Sequence, residues 1–69
     1  MEAKKLITDL NQLLKTDKRQ HEHTCFMLLS GDKNKNLRKS IVFELTGNDL
    51  PIAKCGLHYV IELLTQSAK

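Results

Sequence analysis

Five side chains in this sequence have the chemistry to ligate a metal or to support a nucleophile: His21, His23, Cys25, Cys55 and His58. On an extended strand, positions 21, 23 and 25 project from one face. On a helix, Cys55 and His58 lie one turn apart, and Glu62 lies one turn further. Tetrahedral zinc is built from imidazole and thiolate ligands. The spacings here are His-x-His-x-Cys and Cys-x-x-His, and neither is a zinc-finger spacing. As a nucleophile, Cys55 would draw on His58 as base and on the positive pole at a helix start. No oxyanion donor or orienting third group can be read beside the pair. The plainer roles are solvated imidazoles at a strand edge and thiols that fill small apolar gaps. The expectation is no bound metal, no cofactor and no catalytic centre, and hence no enzyme.

A second kind of chemistry lies in the cations Lys33, Lys35, Arg38 and Lys39. Two strands ending in a basic tip can enter a nucleic-acid groove, where cations neutralise phosphates and release counterions. These four residues are the candidate nucleic-acid contacts. No aromatic residue accompanies them for base stacking, and Asp32 and Glu44 dilute their charge. The formal net charge of +3 is too small to identify a nucleic-acid or membrane partner by itself. The plainer role is a solvated loop whose lysines discourage unwanted strand pairing.

The elements that must carry these residues follow from periodicity. From Glu2 to roughly Thr16, the residues Ala3, Leu6, Ile7, Leu10, Leu13 and Leu14 recur at three- and four-residue spacing. They fall within an arc of about 120°, the stripe of a helix packed on one side. From His23 to Leu29, Thr, Cys, Phe, Met and Leu suit a pleated surface, and Ser30-Gly31-Asp32 ends it. From Leu37 to Thr46, Ile41, Phe43 and Leu45 alternate with polar residues, so a second strand is expected. Gly31 to Asn36 is turn chemistry throughout and joins the two strands as a hairpin. Asp49 is placed to cap a last helix, with Pro51 tolerated in its first turn. That helix has an apolar arc of about 180°, wider than one-sided packing needs.

The expected fold is α+β in αββα order, with two helices packed on one face of a two-stranded antiparallel β-hairpin. A chain of 69 residues makes a single small domain. Its expected core is Leu6, Ile7, Leu10, Leu13, Leu14, Phe26, Leu28, Ile41, Phe43, Leu45, Ala53, Leu57, Val60 and Leu64. A domain this small buries only about 60% of the surface of its unfolded chain and is marginal alone. On the expected fold, Cys25, Met27, Leu29 and Val42 face away from the helices. Ile52 and Ile61 edge the last helix, and Gly56 admits a close neighbour. These seven residues are the candidate protein interface. The functional expectation is a non-enzymatic protein–protein interaction module that self-associates as a homodimer, or that binds another protein. The alternative is a nucleic-acid binder working through the basic tip. No run approaches the ~20 apolar residues of a membrane span. Two cysteines and no apolar leader segment point to a reducing, cytoplasmic setting.

Overall fold

A computed structural model of the chain describes residues 3–67. The expected first helix forms as α1, Ala3–Thr16, and Glu2 lies outside the described residues. Ile7 and Leu10 are buried on the predicted stripe, with Ala3 and Leu6 packed beside them.

The expected hairpin does not form. Among the described residues there is no strand, and the αββα fold class is corrected to an all-helical one. The segment assigned to the first strand belongs to α2, Lys18–Leu29, and the second strand's segment to α3, Lys35–Thr46. A 3₁₀ turn, Asp32–Asn34, joins them where a hairpin loop was expected. A second 3₁₀ turn, Ile52–Lys54, precedes α4, Leu57–Ser67.

Local chemistry explains why helix wins. Asp17 is the single residue between α1 and α2; its N–H donates to the Leu13 carbonyl at 2.7 Å. Its carboxylate accepts from the Gln20 backbone N–H at 3.1 Å, so the same residue closes α1 and caps α2. One turn apart along α2, His21, Cys25 and Leu29 form the buried stripe. On α3, Ile41 and Val42 are buried and Leu45 packs against the core. That is helical spacing, which overrides the apparent alternation of Ile41, Phe43 and Leu45. Gly47 then adopts φ 76°, a left-handed conformation, and its N–H donates to the Phe43 carbonyl at 2.8 Å. This is the glycine stop of a helix. A helix satisfies its backbone within one segment, whereas an isolated two-stranded hairpin is marginal in water.

The strand-to-helix change inverts part of the expected core. Phe26, Leu28 and Phe43 are 56%, 45% and 51% exposed, and Ala53 is also exposed. Cys25, Leu29 and Val42, expected on the outer face, are fully buried. The core is Ile7, Leu10, Cys25, Leu29, Ile41, Val42, Cys55, Val60 and Leu64, drawn from all four helices and the segment before α4. The last helix also starts later than expected. Asp49 pairs with Lys39 instead of capping it, and Pro51 leads into the 3₁₀ turn. Gly56 precedes α4, and its carbonyl accepts from the Val60 N–H at 3.0 Å. A Cβ added at Gly56 would meet nothing within 4 Å, so the close neighbour expected there is absent.

One side chain ties three of these segments together. The Arg38 guanidinium donates to the carbonyls of Leu29 at 2.5 Å, Gly31 at 2.8 Å and Cys55 at 2.9 Å. It thereby caps the end of α2, whose last carbonyls have no partner within the helix, and anchors the approach to α4. The Cα radius of gyration is 10.9 Å. A folded chain of this length is expected at about 11 Å.

Candidate functional site

The fold disperses the five histidines and cysteines. His21 and Cys25 lie one turn apart in the core, with Cys25 Sγ 3.5 Å from His21 Nε2. Burial pushes the Cys25 thiol up to about 11, with the Glu22 charge adding to the rise. Burial also lowers the affinity of His21 for a proton, which Glu22 partly offsets. Both shifts favour the uncharged forms, opposite to the thiolate and imidazolium of an activated pair. This pair therefore belongs to the packing of the core. Cys55 is also buried, and its Sγ points to the Leu50 carbonyl at 3.9 Å. His23 and His58 are exposed. Among the described residues, no group of three His, Cys, Asp or Glu side chains gathers closely enough to hold a metal ion.

The four cations expected at a hairpin tip instead occupy the 3₁₀ turn after α2 and the first half of α3. Arg38 is committed to the three carbonyls, and Lys39 is paired with Asp49. Lys35 lies 3.7 Å from Asp32. Lys33 alone of the four has neither an ion pair nor a side-chain hydrogen bond among the described residues. Three of the four side chains are thus engaged within the fold.

The seven expected interface residues divide sharply. Cys25, Leu29 and Val42 lie wholly inside the monomer, so no partner can reach them. Met27 is 64% exposed; Ile52 and Gly56 are exposed, and Ile61 is half-buried. Helical geometry adds Phe26 and Leu28, which an alternating pattern had turned inward.

Of these, Phe26, Met27 and Leu28 lie on α2. On one flank, a groove of about 450 Å³ between α2 and α4 is lined by Arg19, Glu22, His23, Phe26, His58 and Ile61. On the other, a groove of about 260 Å³ is lined by Leu6, Met27, Leu28, Leu37, Lys33 and Asn34. Phe26, Met27 and Leu28 form a ridge that spans about 200° of the helix, with Phe26 lining the first groove and Met27 and Leu28 the second. Large exposed apolar patches mark interaction sites, and these three are among the most exposed large apolar side chains of the described residues. The signal was present in the sequence: Asp17 three residues before Gln20, then His21, Cys25 and Leu29 at four-residue steps. Reading the histidine as polar surface hid it.

Among the described residues, no helix is long and apolar enough to cross a membrane. Comparison of the chain with family models, with curated proteins and with solved structures finds no match.

Proposed function

We propose that this chain is a non-enzymatic protein–protein interaction module that pairs with a second copy of itself through the outer face of α2. The observation that carries the reading is the run Phe26, Met27 and Leu28, exposed by 56%, 64% and 45%. A second copy is favoured as the occupant by charge. Beside the ridge, one flank carries Arg19 and Glu22 and the other carries Lys33, which has no ion-pair partner among the described residues. A two-fold axis near Phe26 and Met27 with antiparallel helices brings the polar start of each α2 over the turn that follows the other. Glu22 then approaches the partner's side of that turn, where a second Lys33 stands. Two free, buried thiols suit a reducing compartment, and the cytoplasm is the proposed location.

The strength follows from the exposed area. Covering half of a large apolar side chain contributes about 1 kcal/mol, or about 6 kcal/mol for three on each copy. Association costs reduce this, so the dissociation constant is expected at about millimolar or weaker. Equilibrium sedimentation carried up to millimolar chain tests it. A monomer–dimer equilibrium that Met27→Lys shifts to monomer is the expected result. A monomer mass throughout would overturn self-association.

A further inference from the structure

We draw no further inference here: the strongest candidate, the apolar groove lined by Leu6 of α1, Met27 and Leu28 of α2 and Leu37 of α3, with Lys33 in its wall, carries none because nothing in the structure shows what covers it.

Discussion

Replacing Arg38 by alanine is expected to cost more stability than any other single change at a cationic residue of this chain. The guanidinium supplies three hydrogen bonds to backbone carbonyls, two of them part-buried at Leu29 and Cys55 and one exposed at Gly31. A hydrogen bond to a charged group contributes about 1.5–3 kcal/mol net. The exposed bond is readily replaced by water and adds little. Water reaching the half-buried site recovers part of the other two. The expected loss is about 2–3 kcal/mol, against a total stability of roughly 3–10 kcal/mol for a chain of this length. For a domain of this size each kcal/mol lowers the melting temperature by about 4–8 °C, so a fall of roughly 10–20 °C is expected. Far-UV circular dichroism against temperature and urea measures it. Arg38→Lys should lose about half as much, because an ammonium cannot span carbonyls that a planar fork reaches together. Lys33→Ala should change stability by no more than about 0.5 kcal/mol. An Arg38→Ala variant as stable as the parent would refute the bracing role and restore this arginine to the pool of free surface cations.

Stability should be highest between about pH 6.5 and pH 9. His21 binds its proton less readily when folded, so its contribution is complete above the ordinary value of 6.5 and is lost as the pH falls below it. Cys25 is raised from an ordinary 9.0 to about 11, so its contribution is complete below 9.0 and is lost as the pH rises towards 11. The gap corresponds to roughly 2–3 kcal/mol. A urea midpoint that stays flat through both limits would contradict the burial of the pair. The glycines should separate cleanly: Gly47→Ala, at φ 76°, should lose about 1 kcal/mol, whereas Gly56→Ala, with open space around it, should stay within about 0.5 kcal/mol. Equal effects in thermal melts would contradict the placement of Gly47 as the stop of α3.

The first helix was legible because its apolar residues follow one period and nothing competes with that pattern. Between Lys18 and Thr46 two periods overlap. Phe26 and Leu28 alternate with Cys25, Met27 and Leu29, while His21, Cys25 and Leu29 step by four. Only the second set includes a polar residue, and a buried histidine is not recognisable as core until its partner is known. The decisive signals were at the ends. Asp17 before Gln20 and Gly47 after Thr46 mark the start of α2 and the stop of α3, and neither belongs to a hairpin. The candidate site inherited the error. Strand geometry chose Cys25 and Leu29 as surface and lost Phe26 and Leu28, although Met27 is outward in both geometries. Arg38 was read as a free cation because its three acceptors lie nine, seven and seventeen residues away and only the fold gathers them.

Site-directed crosslinking at position 27 tests the pairing most directly. Cys25 and Cys55 are fully buried, so an added surface thiol would be the exposed one. In a two-fold pair centred near Met27, the two copies of a Met27→Cys variant meet close to the axis, within the Cβ separation of about 3.5–4.5 Å that a disulfide needs. Under mild oxidation that variant is expected to form a covalent dimer much faster than Asn48→Cys, whose residue is exposed but away from α2. Equal rates for the two variants, in chains with unchanged helicity, would contradict the account.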